Sequence, residues 1–371
     1  GVYSMLSDAP GMEAGPVLVR PGKAVESFMV SDAALIFGDP TVDAVVETLG
    51  GLDPAYSYGM RALEAGKHFI TANKAMVAAH GLELAALARE KGAAFLFSAA
   101  CGGGVPFLHN LALSAETDRI EAVSGILNGT TNYMLDAMQR RSLSYGDALR
   151  EAQSLGYAES DPTADVSGLD ALRKMQLACA VAFGVLPQSG MLCEGMEHFT
   201  AADVEDIQSR GLVCRLLARG SRAGESVSAY VEPVLFPRAA PESSVFTNNN
   251  MARYTGKRCG SIVLMGQGAG RFPTASAVLR DLSAAQQGAR AMFPENCRAA
   301  EADNREAVHS YYIRTGGFAA VRLSLRSVLA QGEVVRAVTE PMSAEKMHAL
   351  AQNIRKDGND LFFAALEEEL C

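Results

Sequence analysis

The chain carries no run of lysines or arginines that could hold a nucleic acid or an anionic membrane, and a net charge of −9 with a pI near 5.3 points the same way. It also lacks an apolar run able to cross a bilayer. The longest, residues 177–186, has about half of the ~20 residues that a span requires, and no basic-then-apolar leader stands at Gly1. The seven cysteines, at 101, 179, 193, 214, 259, 297 and 371, are odd in number, scattered and mostly set in apolar runs. Such spacing supplies neither a metal-ligand set nor a disulfide framework, and it suits reduced thiols in a cytoplasm. Internal repeats and low-complexity tracts are absent. So is a strand followed by a Gly-x-Gly-x-x-Gly turn at the start: residues 1–6 read as the helix that comes after such a turn, and the first strand and phosphate loop of a dinucleotide fold are expected to be missing from this sequence.

What is present describes a globular protein of two or three domains: 371 residues, 49% apolar and 20% charged. Between residues 16 and 127, strand-like runs at 16–20, 43–48, 68–71, 94–98 and 120–127 alternate with helical periodicity at 54–66 and 74–91. That alternation predicts an α/β domain with a doubly wound parallel sheet. Ligands of such sheets lie across the carboxyl ends of the strands. This singles out Arg20, Thr48 to Gly51, Thr71 to Lys74, 99–106 and 128–132. Two glycine-rich loops, Gly102 to Gly104 and Gly266 to Gly270, stand apart from these patterns.

Residues 128–265 bring helices first (132–140, 145–155, 169–185, 201–209) and extended segments afterwards (211–217, 228–235, 261–265), which reads as an inserted α+β domain. Residues 266–285 then return to the first domain, giving 1–127 plus 266–285 as one unit. Past 286, segments 310–314 and 334–339, a helix at 343–356 and a last segment at 361–366 suggest a small α/β appendix reaching 371.

The densest polar cluster spans residues 156–174, with four acids and one lysine at the end. Pro162 and Gly168 break its first part into a loop, and Ser167-Gly168-Leu169-Asp170 reads as a capping box that starts a helix. Asp170 and Lys174 follow at i and i+4, which stacks carboxylate and ammonium on one helix face. The helix turns apolar directly after Lys174, so this lysine is expected to have a lowered pKa, as proton transfer near neutral pH requires. A plain capped helix behind a solvated acidic loop would use the same residues.

Six blocks in this order decide between the two: Val45-Val46-Glu47-Thr48-Leu49-Gly50-Gly51, Thr71-Ala72-Asn73-Lys74-Ala75, Gly103-Gly104-Val105-Pro106, Asn128-Gly129-Thr130-Thr131-Asn132-Tyr133, the 156–174 block, and Gly268-Ala269-Gly270 with Pro273-Thr274-Ala275-Ser276-Ala277. Together they resemble homoserine dehydrogenase over residues 41–282. The resemblance implies a Rossmann-type nucleotide domain with an inserted substrate and dimerisation domain, NAD(P)H-dependent reduction of L-aspartate 4-semialdehyde to L-homoserine, and a homodimer or homotetramer. By resemblance Lys174 is the proton donor and Lys74 a second catalytic lysine. Glu159 and Asp170 look like the acceptors of the substrate ammonium, with Asp165, Tyr157, Thr130 and Gly129 beside them. Gly156, Gly268, Gly270, Thr48 and Lys74 resemble the cofactor contacts.

Arg20 ends a strand where NAD-selective folds place an acid, and with Lys23 it is expected to favour the 2′-phosphate of NADP(H) over NAD(H). Backbone carbonyls at Ser98, Cys101, Gly103 and Val105 match the family's loop for a monovalent cation such as Na⁺, although Ser98 stands where the family often has glutamate. The C-terminal appendix resembles a regulatory ACT domain through Tyr311-Tyr312-Ile313-Arg314 and the strand, helix and strand that follow. Two rivals stand beside this reading. One is a semialdehyde dehydrogenase with Cys101 as nucleophile and His109 as the nearest candidate base; the other is a non-catalytic nucleotide-binding fragment.

Overall fold

The computed structural model describes residues 1–316 and 324–367, so the Cys371 thiol lies outside the described residues. The parallel strands of the N-terminal part form two patches. Val17–Leu18 pairs with Met29–Val30, and Ala44–Glu47, His68–Thr71 and Phe95–Leu96 form a three-stranded sheet in that order. Helices Ala55–Glu64 and Lys74–Lys91 cross between the strands of the second patch, as the alternation predicts. Asn73 starts the longer helix by accepting from the Met76 amide at 3.1 Å, and Gly92 ends it with a φ of 67°.

Helix Arg271–Gln286 returns to this unit and packs against the N-terminal helix Val2–Leu6. The return continues past it. Phe95 donates its amide to the Arg290 carbonyl at 2.7 Å, Arg89 donates to the Phe293 carbonyl at 2.8 Å, and the rings of Phe97 and Phe293 lie 4.8 Å apart.

One strand belongs elsewhere. Ile120–Ile126, expected in the parallel sheet, pairs antiparallel with Leu212–Ala223 and Asn249–Gly256. The reason is its neighbours: helix Phe107–Thr117 before it and helix Gly129–Arg141 after it do not carry the chain across the small sheet but onto a ten-stranded one. That sheet runs Gly260–Gln267, Asn249–Gly256, Ile120–Ile126, Leu212–Ala223, Ser226–Pro237, Leu361–Leu366, Tyr311–Gly316, Val334–Thr339 and Leu325–Ala330, with Leu192–Cys193 alongside Ser226–Pro237. The C-terminal strands therefore extend the second domain's sheet, joined where Val234 pairs in parallel with Ala365.

Helix Leu169–Phe183 lies across this sheet and is the pivot of the core. Met175, Leu177, Cys179, Val181 and Phe183 are all buried on it. It approaches strand Leu212–Ala223 so closely that a Cβ on Gly220 would fall 2.6 Å from the Cys179 sulfur. The same helix packs against Lys74–Lys91 of the first domain and against Phe107–Thr117. Its N-terminal turn therefore faces the carboxyl ends of the parallel strands, and that placement makes the site.

Candidate active site

The helix does not begin as the sequence suggests. Ser167 makes no cap; its hydroxyl is buried without a partner among the described residues, and Gly168 takes the N-cap position with a φ of 84°. The short helix Thr163–Val166 runs directly into this turn, and only a glycine adopts the left-handed conformation there without strain. Asp170 is thereby released from capping. It is 9% exposed and gathers three donors on one carboxylate.

Lys174 donates to Asp170 Oδ2 at 2.7 Å and Asn128 Nδ2 to the same oxygen at 2.9 Å, while Lys74 Nζ lies 3.1 Å from Oδ1. Lys74 comes from the helix that follows strand His68–Thr71, so one carboxylate ties the two domains together. Lys174 also donates to the Leu127 carbonyl at 2.6 Å. An ammonium has three protons; the protein holds two, which leaves one for a ligand. Asp165 completes the cluster: its Oδ1 accepts from Asn128 at 2.7 Å and its Oδ2 from the Thr130 hydroxyl at 3.1 Å. The Thr130 hydroxyl also lies 2.5 Å from the Tyr157 carbonyl, and Tyr157 packs edge-on against Tyr133.

The charges differ from the sequence expectation. Burial opposes ionisation of Asp170, but the ammonium groups of Lys174 and Lys74 overcome it and hold its carboxyl well below the usual range. Burial likewise works against a charged Lys174, yet the Asp170 carboxylate outweighs it and raises the pKa. The expected lowering of Lys174 is thus corrected. A buried lysine loses basicity only when no acid faces it.

The structure brings the expected residues Lys174, Lys74, Asp170, Asp165, Thr130 and Tyr157 to one place. It does not bring Glu159: that carboxylate is exposed and makes no ion pair among the described residues, and only its backbone carbonyl is held, by Gln153 at 3.1 Å. Gly129 is confined by the Asn248 carbonyl, 2.8 Å from where a Cβ would stand. Gly156 closes helix Tyr145–Ser154, exposed and with open space around it.

Two residues quoted within the matched blocks were given no role. Asn128, 4% exposed, bridges both carboxylates; an asparagine before Gly-Thr-Thr is an N-cap signal that says nothing of what its amide donates to. Glu47, also 4% exposed, accepts from the Leu49 amide and, at 2.5 Å, from the Thr71 hydroxyl, while Asn73 donates to the Gly51 carbonyl at 2.7 Å. Burial raises the Glu47 pKa against these bonds. They pin the loops that carry Thr48 and Lys74 to each other. Its sequence signal was an acid ending a buried strand.

The glycine-rich loops meet backbone to backbone. A Cβ on Gly103 would fall 2.4 Å from the Gly268 carbonyl oxygen, and Gly104 donates to the Gln267 carbonyl at 3.0 Å. Gly270 opens helix Arg271–Gln286. Behind Gly268 lies Asn250, 1% exposed, whose amide has neither polar atom partnered among the described residues. Thr48 is exposed at the end of Ala44–Glu47, and Arg20 and Lys23 are exposed beyond Val17–Leu18. In the Ser98 to Val105 loop, the Ser98 carbonyl accepts from Cys101 and the Val105 carbonyl from Phe107 at 2.7 Å, while Asp281 accepts from the Ser98 amide at 2.8 Å. Among the described residues no group of three or more His, Cys, Asp or Glu could hold a metal ion.

Cys101 is fully buried, and burial pushes its thiol up to about 12. Its sulfur lies 3.9 Å from the Lys174 carbonyl. A thiol so protonated is a poor nucleophile, so iodoacetamide on the native protein should alkylate the exposed Cys259 and spare Cys101. Peptide mass mapping checks this; substrate-protected labelling of Cys101 would reinstate the thiol mechanism.

Comparisons with known proteins point to one family. Residues 106–283 match the protein-family model for homoserine dehydrogenase, and residues 22–98 match the model for the homoserine dehydrogenase NAD-binding domain. A homoserine dehydrogenase of Corynebacterium glutamicum is 40% identical over 269 residues, covering 71% of this chain and 60% of that protein. One from Bacillus subtilis is 37% identical over 256 residues, 69% of this chain and 59% of that protein. The chain thus spans less than two thirds of the length of these curated relatives. The crystal structure of a homoserine dehydrogenase from Thiobacillus denitrificans is 30% identical with a TM-score of 0.81, covering 91% of this chain and 85% of that one. A hyperthermophilic archaeal homoserine dehydrogenase mutant solved in complex with NADPH is 28% identical with a TM-score of 0.58, covering 69% and 73%.

Proposed function

The chain belongs to the homoserine dehydrogenase family, and from that premise we propose that its protein reduces L-aspartate 4-semialdehyde to L-homoserine with NADPH. The observation that carries the reading is Asp170, one carboxylate holding a lysine from each domain at the mouth of the parallel sheet.

A nicotinamide coenzyme fits the residues present. Gly50 and Gly51 leave open space where side chains would stand, and the orphan amide of Asn250 behind Gly268 offers a donor and an acceptor of the kind a carboxamide needs. Gly156, Gly268, Gly270, Thr48 and Lys74 would hold the nicotinamide end; when bound, it supplies the hydride to the aldehyde carbon. The chain's own part is the proton. Lys174 presents its third N–H to the aldehyde oxygen, and the alkoxide that forms is a far stronger base than an amine. A raised lysine pKa therefore does not impede reduction. In the reverse direction Lys174 must first lose a proton, so homoserine oxidation should be favoured by higher pH.

Glu159, which makes no ion pair among the described residues and stands outside the cluster, is proposed with Asp170 as an acceptor of the substrate ammonium, and Asp165, Thr130, Tyr157 and the Gly129 backbone are proposed to bound the amino-acid end. Within 286–371, strands Tyr311–Gly316, Leu325–Ala330, Val334–Thr339 and Leu361–Leu366 extend the substrate sheet, and residues 317–323 and 368–371 lie outside the described residues. A monovalent cation would rest on the Cys101 and Gly103 carbonyls with Ser98 and Val105 flanking. Among the described residues no helix is long and apolar enough to cross a membrane, and we place the enzyme in the cytoplasm as a homodimer or homotetramer built through the second domain, a state that sedimentation reads directly.

The test is product formation by the full-length protein from NADPH and the semialdehyde; a folded protein that forms no homoserine removes the assignment. Coenzyme choice is a second outcome. kcat/KM should favour NADPH over NADH, and Arg20→Ala should abolish most of that ratio by weakening NADPH alone. Equal efficiency with both coenzymes in the wild type would remove the role given to Arg20 and Lys23.

A further inference from the structure

We infer that Asn128 is the positioning residue of this site, its amide holding Asp165 and Asp170 together and so fixing where Lys174 presents its proton. The inference rests on the reading of Lys174 as proton donor.

The amide cannot turn over. Its Oδ1 accepts from the Thr131 amide at 2.8 Å and the Thr131 hydroxyl at 3.0 Å, at the start of helix Gly129–Arg141. A helix N-terminus offers N–H groups and takes an oxygen, not an NH₂. Nδ2 must then face the other way, and both of its protons are used: one on Asp165 at 2.7 Å, one on Asp170 at 2.9 Å. Serine, threonine or aspartate would cap the helix as well, but only an amide caps with one atom and donates twice with the other. Two carboxylates brought to one site repel each other, and the two N–H groups of one amide bridge them.

The preceding residue completes the device. The Leu127 carbonyl holds one proton of Lys174 directly, and Asn128 holds the carboxylate oxygen that takes the second. Among the described residues, the charged or titratable groups set against the pair are Lys74 from helix Lys74–Lys91, Lys174 from Asp170's own helix, and the Cys101 thiol from the glycine-rich loop. Thr130 adds a neutral hydroxyl on Asp165.

The test uses Asn128→Ser and Asn128→Asp in the full-length protein, since both keep an oxygen at the cap. Asn128→Ser should lower kcat about ten- to a hundredfold while the KM for NADPH stays unchanged. Asn128→Asp should lower it at least as far and also move the acidic limb of the pH profile upward, because three carboxylates now share the cluster. Wild-type kcat and an unmoved limb in both variants would overturn the inference. If the wild type shows no turnover, the proposed activity fails but Asn128 is still read from melting. A carboxylate whose folded pKa is raised removes stability as pH rises, so the melting deficit of Asn128→Asp should widen from about pH 4 to pH 7. A deficit that does not change with pH overturns it.

Discussion

Asparagine in place of Asp170 should cost the protein most of its turnover and about 3–5 kcal/mol of stability, the usual result of removing one partner of a buried ion pair. The Lys174 ammonium would keep only the Leu127 carbonyl and lie next to an uncharged amide. Lys74 would lose its partner as well, but its side chain is 35% exposed, so water replaces the carboxylate at little cost. Stability should carry a pH signature. Asp170 has a folded pKa below its unfolded value, so its contribution is present above the unfolded carboxylate pKa of about 3.9 and is lost as pH falls further. Lys174 has a raised folded pKa, so its contribution is complete below the unfolded lysine pKa of about 10.4 and is lost as pH rises beyond it. Denaturant melts should therefore show the deficit of Asp170→Asn flat and largest between about pH 5 and pH 9, shrinking on both sides. A small deficit independent of pH would mean that the pair contributes nothing.

Methionine in place of Lys174 should leave the fold largely intact and take away the reaction. The aliphatic stem keeps its packing, and Asp170 keeps Lys74 and Asn128 as partners. What disappears is the third N–H at the aldehyde oxygen. General acid catalysis of this kind is worth about 10²- to 10⁴-fold, and the loss should fall on kcat, with NADPH affinity by fluorescence titration unchanged. Weakened NADPH binding with kcat preserved would place Lys174 at the coenzyme instead.

The fold was legible where local pattern and tertiary position agree. Strand His68–Thr71 and helix Lys74–Lys91 stand at their expected bounds, because a short apolar run and a helical periodicity specify them locally. Strand Ile120–Ile126 shows the limit: its residues announce a strand and nothing in them announces which sheet, since pairing is decided by partners about a hundred residues away in Leu212–Ala223 and Asn249–Gly256.

In the site, the i,i+4 spacing of Asp170 and Lys174 was readable, and the three-donor carboxylate was not. Lys74, Asn128 and Leu127 reach Asp170 and Lys174 only after the two domains have closed on helix Leu169–Phe183. Reading Ser167 as a cap failed for a related reason. Cys193 and Val231 lie 3.1 Å from where a Gly168 Cβ would be, so the turn is set by packing from another element. The direction of the Lys174 pKa failed with it, because the buried end of a helix was visible in the sequence while the acid held against the lysine was not.

The central claim is that Lys174, held by Asp170 and Leu127, gives up the proton. It is tested most directly by single-turnover oxidation of NADPH on Lys174→Ala in the presence of L-aspartate 4-semialdehyde, with and without methylamine. The account predicts a rate about 10²- to 10⁴-fold below wild type, restored in part as the small ammonium is added to the space the side chain vacates. A Lys174→Ala protein that keeps most of the wild-type rate without any amine would contradict it.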